Sequence, residues 1–336
     1  MSLFSRSKGT DAETLPFEGR LPGFEGAAGW LNSPPLTPDE LRGKVVLVDF
    51  WTYTCINWLR TLAWVRAWWE KYESHGLVVI GVHTPEFPFE RDADNVREAV
   101  HDMVVRYPVA LDPDYGVWNA FANSYWPALY IADADGRIRH HHYGEGGFEE
   151  CERVVQRLLR DAGQNGFDDE LVFVEPKGFE VQAEWSSLKT PETYVGYQQG
   201  QNFASSADLV LDDPREYTIP EPLNLNEWAL GGRWAIESRA SVSSEPGARL
   251  VFRFHARDVN LVMGPRARGT LIPFRVSVDG GPPGDAHGLD VDEQGNGTLS
   301  RQRLYQLVRE PGSIADRTVE ITFLDPGAEA YCFTFG

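Results

Sequence analysis

The spacing of apolar residues divides the first half of the chain into strands and helices. Val45 to Trp51 is an apolar run interrupted only by Asp49, which is typical of a strand buried on both faces. After Cys55, apolar residues recur every three or four positions, which predicts a long helix with one buried face. The residues of that face are Trp58, Leu62, Val65, Trp69 and Tyr72. The sequence therefore predicts a strand, a short turn and a helix, with Cys55 at the start of the helix.

Strands and helices continue to alternate after this stretch. The pattern predicts strands over Leu77 to His83, Pro108 to Asp112, Ala128 to Ala132 and Arg137 to Tyr143, and helices over Asp92 to Arg106, Tyr115 to Tyr125 and Phe148 to Ala162. Strands that alternate with helices and end in a hairpin indicate an α/β domain with a mixed sheet flanked by helices. We assign this domain to residues 21–163 and expect residues 1–20 to be flexible.

The pattern changes after Gly163. Residues 164–189 show no helical period and are interpreted as a linker. From residue 190 to residue 336, short β-rich segments alternate with clusters of Gly, Pro, Asn and Asp, which is typical of an all-β jelly roll or sandwich. The clearest predicted strands are Arg249 to Phe254, Val259 to Met263, Pro273 to Val278, Arg303 to Val308 and Thr318 to Leu324.

Composition limits the classes of partner. The 336 residues carry 50 acidic and 31 basic side chains, giving a net charge of −19. A nucleic-acid partner is not expected, because phosphate binding needs a basic surface. No apolar run reaches the length of about 18 residues that a membrane span needs, and the first residues do not resemble a secretory leader. We therefore expect no membrane span and a cytoplasmic location as the chain is given, or an extracytoplasmic one if a longer chain has lost a leader.

The three cysteines are far apart in sequence. Cys55, Cys151 and Cys332 form no recognisable disulfide or metal-binding spacing. Cys151 and Cys332 are interpreted as buried structural thiols rather than resolving partners of Cys55. The start of a helix offers unpaired N–H groups and the positive end of the helix dipole, which favours the thiolate form of Cys55. A dithiol redox site needs a second cysteine three residues further on, where this chain has Trp58.

Several segments carry a family resemblance. Asp49-Phe50-Trp51 followed by Cys55 resembles the active-site strand and turn of thioredoxins, and Trp126-Pro127 resembles their cis-proline loop. More narrowly, FWTYTCIN, GVHTPEF, SYWPA, TPETYVGYQQGQNFAS and EAYCFTFG resemble DipZ-type proteins of the TlpA/ResA-like group. That resemblance implies a thioredoxin-like domain followed by a carbohydrate-binding-module-like jelly roll, and thiol–disulfide oxidoreductase activity. Within the residues given, no segment resembles the membrane-embedded electron-delivery domain of the group, and Trp58 stands at the position of its second active-site cysteine.

The resemblance also implies roles for individual residues. Cys55 is the nucleophile, and Asp49 is the buried carboxyl group that moves a proton. The expected substrate groove is formed by Thr52, Thr54, Trp58, Trp126 and Pro127, together with Glu86 from the loop after the second strand. We expect no cofactor and no metal. Within the run of histidines at 140–142, at most two can lie on one face of a strand, which is too few for a metal site.

Three functions remain open. Cys55 could carry out monothiol exchange on a thiol or disulfide of a protein or small molecule, so whether the chain is an active enzyme is undecided. Alternatively, the redox site is disabled, and the protein binds a peptide or glycan through the groove or the jelly roll. The spacing Thr52-x-x-Cys55 also allows a one-cysteine thiol peroxidase. A saccharide on the second domain is a further expected partner, with stacking candidates Trp185, Tyr194, Tyr197, Trp228, Trp234 and Tyr305.

Overall fold

The computed structural model describes residues 14–205 and 210–336. An α/β part with a mixed sheet is followed by an all-β part, so the predicted fold class is confirmed. The expected flexibility of residues 1–20 falls mostly on residues 1–13, which lie outside the described residues. The chain divides into two compact units. The first contains the described residues up to Thr52 together with Trp64–Pro85 and Ala93–Val174, and the second contains Tyr53–Ala63, Glu86–Asp92 and Glu175–Gly336.

Within residues 14–163, the chain forms seven strands and four α-helices. The strands are β1 (Gly19–Arg20), β2 (Gly29–Leu31), β3 (Val45–Trp51), β4 (Leu77–His83), β5 (Val109–Leu111), β6 (Ala128–Ala132) and β7 (Arg137–Tyr143). The helices are α1 (Ile56–Tyr72), α2 (Ala93–Asp102), α3 (Gly116–Ala120) and α4 (Phe148–Asp161). The pairing of residues 19 and 20 with β7 was not predicted.

The sheet of the first unit has the strand order β1-β7-β6-β3-β4-β5-β2. Strands β3, β4 and β5 are parallel to one another, and β6 pairs antiparallel to β3. All seven residues of β3 are buried, as expected for a central strand covered on both faces. On one face, Phe50 packs edge-on against Trp118 and Tyr130 within an apolar cluster.

Helix α1 buries a slightly different face from the predicted one. Trp58, Leu62, Val65 and Tyr72 are buried as predicted, but Trp68 is fully buried and Trp69 only partly. Trp68 donates its indole N–H to the buried carboxylate of Glu152 on α4. A tryptophan that finds a polar partner can therefore occupy a position that apolar spacing alone leaves outside the buried face.

Two predicted helices are shorter than expected. Helix α2 ends at Asp102, and Val104 just beyond it has a left-handed backbone with φ of 55°. Helix α3 ends at Ala120, and Ala122 has a φ of 50°. In each case the apolar pattern continues past a residue whose backbone cannot continue an α-helix.

The described part of the second unit contains eleven β-strands. They are β8 (Thr193–Tyr194), β9 (Arg215–Tyr217), β10 (Trp228–Ile236), β11 (Ser241–Ser243), β12 (Ala248–Phe254), β13 (Asp258–Pro265), β14 (Ile272–Val278), β15 (Asn296–Leu299), β16 (Arg303–Arg309), β17 (Arg317–Phe323) and β18 (Ala328–Phe335). Their main order is β15-β14-β17-β12-β10-β11-β18-β13-β16, with β8 on β18 and β9 on β10. All these pairs are antiparallel, so the strands form one curled sheet around an apolar core.

Strand β10 is the corner at which this sheet turns. Its first four residues pair with β12, whereas residues from Gly232 onward pair with β9 and β11. Gly232 has a φ of 84°, a conformation that glycine adopts without the steric cost other residues incur. The two halves of the strand can therefore contribute side chains to different walls of the same core.

Residues 164–189 contain neither an α-helix nor a β-strand. Among residues 14–205 and 210–336, no helix is long and apolar enough to cross a membrane.

Candidate active site

Cys55 lies immediately before the first residue of α1. Its carbonyl oxygen accepts a hydrogen bond from Leu59 N at 3.0 Å, so Cys55 caps the N-terminus of the helix. The backbone N–H groups of Asn57 and Trp58 point toward its sulfur and favour the thiolate. The half-buried Cys55 thus lies at the start of α1, with these two N–H groups directed at its sulfur.

The pKa of Cys55 nevertheless lies well above its usual range. Desolvation of the sulfur is the largest cause, followed by the negative charge of Glu86, and the charge of Glu192 adds to both. These effects outweigh the hydrogen bonds from the helix start. The helix start favours the thiolate, as the sequence indicates, but two carboxylates and burial of the sulfur act in the opposite direction.

A buried carboxylate, Glu90, holds the loop next to Cys55. Its Oε1 accepts a hydrogen bond from the Thr54 hydroxyl at 2.6 Å. Its Oε2 accepts the backbone N–H groups of Glu86 at 2.7 Å and Phe87 at 2.8 Å. Glu90 thereby connects the turn that carries Cys55 to the loop that carries Glu86. The Thr54 hydroxyl is therefore bound to this carboxylate. The sequence analysis predicted Thr54 as a groove residue but did not predict this contact.

The side chain of Glu86 points toward the strands of the all-β domain. The Tyr194 hydroxyl donates a hydrogen bond to its Oε1. Burial, together with the charges of Glu192 and Glu90, raises the pKa of Glu86 to about 8, although the Tyr194 hydrogen bond acts in the opposite direction. Desolvation likewise raises the pKa of the Glu192 carboxyl, although the residue as a whole is exposed. Near neutral pH, Glu86 is thus a carboxyl group that can exchange a proton.

Trp58 occupies the position of the missing second cysteine. Its side chain is fully buried, so it belongs to the core-facing side of α1 as predicted. The motif is therefore structurally committed to a large apolar side chain.

The remaining predicted site residues belong to the first unit. Asp49 is fully buried, and the Tyr107 hydroxyl lies 3.4 Å from its Oδ2. Thr52 is buried at the end of β3. The Trp126–Pro127 peptide bond is cis, as predicted, and Trp126 donates its indole N–H to Thr84 O at 3.1 Å.

Two sequence families match this chain. Residues 190–336 match the family described as thioredoxin-like C-terminal domain, and residues 21–141 match the AhpC/TSA family. The chain is 37% identical to protein DipZ of Mycobacterium bovis over 268 residues, which are 79% of this chain and 37% of DipZ. It is 30% identical to the thiol-disulfide oxidoreductase YkuV of Bacillus subtilis over 142 residues, which are 42% of this chain and 95% of YkuV.

The chain belongs to the thioredoxin-like thiol-disulfide oxidoreductases of the TlpA/ResA/DipZ-like group. It spans 37% of the length of the DipZ protein that it matches. Among solved structures, a thioredoxin-like protein in the oxidized form is 30% identical and has a TM-score of 0.40, with 43% of this chain and 96% of that protein covered.

Sequence reasoning missed part of the Cys55 environment. Glu192 and Tyr194 lie in the TPETY segment, which was used only as a family signature. Glu90 was not singled out either, although it stands three residues after Phe87, where it caps a short 3-10 helix over Pro88–Arg91. The capping-type spacing could have revealed Glu90, whereas nothing local could place Glu192 or Tyr194 beside Glu86.

The aromatic residues predicted to stack a saccharide are divided between core and surface. Trp228, Trp234 and Tyr305 are buried in the core of the all-β domain, and only Trp185 and Tyr197 are exposed. A cleft of about 730 Å³ on this domain is lined by Arg249, Arg253, Glu320 and others, and none of the described residues lining it is aromatic. Half of the predicted stacking candidates are therefore core residues.

Two residues of the histidine run at 140–142 contact protein side chains. His141 Nδ1 lies 2.7 Å from a carboxylate oxygen of Glu18, and His140 Nε2 lies 3.7 Å from the sulfur of buried Cys151. Burial lowers the pKa of His140.

Proposed function

We propose that Cys55 performs thiol–disulfide exchange as the attacking thiol, on a disulfide of a protein or small molecule. The observation that carries this proposal is the placement of its half-buried sulfur on the N–H groups of Asn57 and Trp58, beside the protonatable carboxyl group of Glu86. These N–H groups stabilise negative charge on sulfur during attack, and a nearby carboxylate can accept the thiol proton.

The first half-reaction follows from these contacts. The Cys55 thiol transfers its proton to ionised Glu86, and the sulfur attacks one sulfur of the substrate disulfide. A bond forms between Cys55 and that sulfur while the substrate S–S bond breaks. The leaving thiolate then takes up a proton. Asp49, Thr52, Trp126 and Pro127 stay as proposed contributors to the substrate groove, on the basis of the family resemblance.

The raised pKa of Cys55 sets the expected pH dependence. Because only the thiolate attacks, the rate of alkylation by iodoacetamide should still be rising at pH 9, the usual thiol pKa. The test is this pH profile, combined with peptide mapping of the labelled cysteine. Cys55→Ser should abolish the labelling, and Cys151→Ala should leave it unchanged. Absence of any Cys55 adduct with 2,2′-dithiodipyridine in the folded protein would overturn the proposal.

A redox-disabled binding protein is the second candidate, favoured by the same raised pKa and by Trp58 in place of the resolving cysteine. In that case Cys55→Ser would retain full affinity for a captured peptide or glycan. The peroxidase alternative stays a prediction. Rapid mixing with hydrogen peroxide tests it, because a peroxidase would form sulfenic acid on Cys55.

A further inference from the structure

Cys332 lies on the strand that faces Tyr194. In the antiparallel pair of β18 and β8, Cys332 is directly opposite Tyr194. Opposed residues of an antiparallel pair project to the same side of the sheet. Since the Tyr194 hydroxyl reaches Glu86, the sulfur of Cys332 lies on the side of the sheet that faces the Glu86 loop.

Aromatic contacts bring the neighbours of both cysteines to one side chain. Phe89 lies 6.1 Å, between ring centroids, from Tyr53, which is two residues before Cys55. The same Phe89 lies 4.9 Å from Tyr331, which immediately precedes Cys332. The turn that carries Cys55 and the strand that carries Cys332 are thus held against a common residue.

The two thiols also share their carboxyl groups. The side chains of Cys332 and Tyr194 both lie close enough to Glu192 to lower the pKa of its carboxyl group. Desolvation raises the pKa of Cys332, followed by the charges of Glu192 and Glu86, and ionised Cys55 raises it further. The pKa of Cys55 responds to the same two glutamates. The charges of Glu86 and Glu192 therefore raise the pKa of both thiols, and either thiol can transfer its proton to one of these two carboxylates.

We propose that Cys332 is the resolving thiol for Cys55, in place of the cysteine that the motif lacks at Trp58. This inference rests on the proposed exchange activity of Cys55. It replaces the sequence interpretation of Cys332 as a purely structural thiol, whereas Cys151, which belongs to the first unit, keeps that interpretation.

The resolving step balances without a further oxidant. Cys332 gives its proton to Glu192, and its sulfur attacks Cys55 in the mixed disulfide. The Cys55–Cys332 bond forms, and the bond between Cys55 and the substrate breaks. The substrate leaves as a thiolate that takes up a proton, so its disulfide has gained two electrons and the protein dithiol has lost two. A small dithiol such as dithiothreitol can return the protein to its reduced form.

The test counts leaving groups. Fully reduced protein is mixed, in its native state, with a slight excess of 2,2′-dithiodipyridine, and the released thiopyridone is followed by absorbance. If Cys332 resolves the adduct, the wild type releases two thiopyridones per Cys55 and keeps no pyridyl group, and its mass falls by two hydrogens. Peptide mapping then finds Cys55 joined to Cys332, a result that needs no variant.

Variants separate the possible failures. Cys332→Ala should release one thiopyridone and retain a stable pyridyl adduct on Cys55, while Cys151→Ala should behave as the wild type. If the wild type keeps the adduct as long as Cys332→Ala does, this inference is wrong and the exchange activity of Cys55 stands. If neither protein forms an adduct on Cys55, the proposed function fails and the inference fails with it.

Discussion

The hydroxyl of Tyr194 donates a hydrogen bond to the carboxylate of Glu86, although 108 positions separate the two residues in sequence. Tyr194 stands on a strand of the all-β domain, and Glu86 stands on the loop after β4. Glu86 in turn acts on Cys55. The pKa of the Cys55 thiol therefore depends partly on residues far from the Asp49–Cys55 segment in sequence.

Removing the charge of Glu86 should make Cys55 more acidic. The negative charge of Glu86 is the second largest cause of the raised pKa of Cys55, so Glu86→Gln should lower that pKa. Desolvation remains, and the pKa should stay above its usual value. The pH profile of iodoacetamide alkylation should shift to lower pH. Glu293→Gln removes the same charge from an exposed position of the same unit and should leave the profile unchanged.

The same variant should change how stability depends on pH. The pKa of Glu86 is raised from 4.5 to about 8 in the folded protein, so between these values the folded state binds more protons than the unfolded state. The free energy of unfolding should therefore fall as pH rises through this window, by up to about 1.4 kcal/mol per pH unit. Urea denaturation at several pH values measures the slope. A slope in Glu86→Gln equal to that of the wild type would contradict the assignment.

Restoring the dithiol motif should switch on a local resolving step. Trp58→Cys places a thiol three residues after Cys55, where it can attack a mixed disulfide. Loss of the buried indole should also cost about 3–5 kcal/mol of unfolding free energy. Trp58→Ser creates a comparable cavity without a thiol and is the matched control. Insulin reduction with dithiothreitol should be faster for Trp58→Cys than for Trp58→Ser, and equal rates would show that the groove does not support dithiol chemistry.

The corner of β10 should be sensitive to a single methyl group. In Gly232→Ala, the left-handed backbone costs roughly 1–2 kcal/mol, and the new Cβ would lie 2.7 Å from Glu245 Oε1. Gly247 also has a positive φ, of 78°, but a Cβ there meets no atom within 4 Å. Gly247→Ala should therefore lose only the stability that the left-handed backbone costs, without a steric clash. Denaturant unfolding should give a lower free energy of unfolding for Gly232→Ala than for Gly247→Ala. The reverse order would contradict this account.

Much of the fold was predictable because the apolar pattern is strong. The bounds of β3, β4, β6 and β7 agree with the predicted ones, since each run is closed by charged or turn-forming residues. The ends of α2 and α3 were not predictable from apolar spacing, because Val104 and Ala122 leave the helical conformation.

The site was predictable only where its residues are close in sequence. The location of Cys55 at the start of α1 and the burial of Trp58 followed from the local pattern. The acidity of Cys55 did not, because it depends on Glu86 and Glu192, which the fold brings to it from distant parts of the chain. The local sequence predicts that Cys55 lies at the positive end of a helix dipole. It does not predict which negative charges lie near the thiol and raise its pKa.

The unit that holds Cys55 is assembled from three separate stretches of chain, and it crosses the boundary that the family matches suggest. Within it, buried Arg60 of α1 lies 3.9 Å from the fully buried carboxylate of Asp258. A fragment ending at residue 163 would keep Cys55 and Arg60 but lose Asp258 and Glu192. Enzymologists who trim the chain to its thioredoxin-like part would thus assay a different thiol, and in homologues we expect positions 55, 86, 192 and 332 to have evolved together.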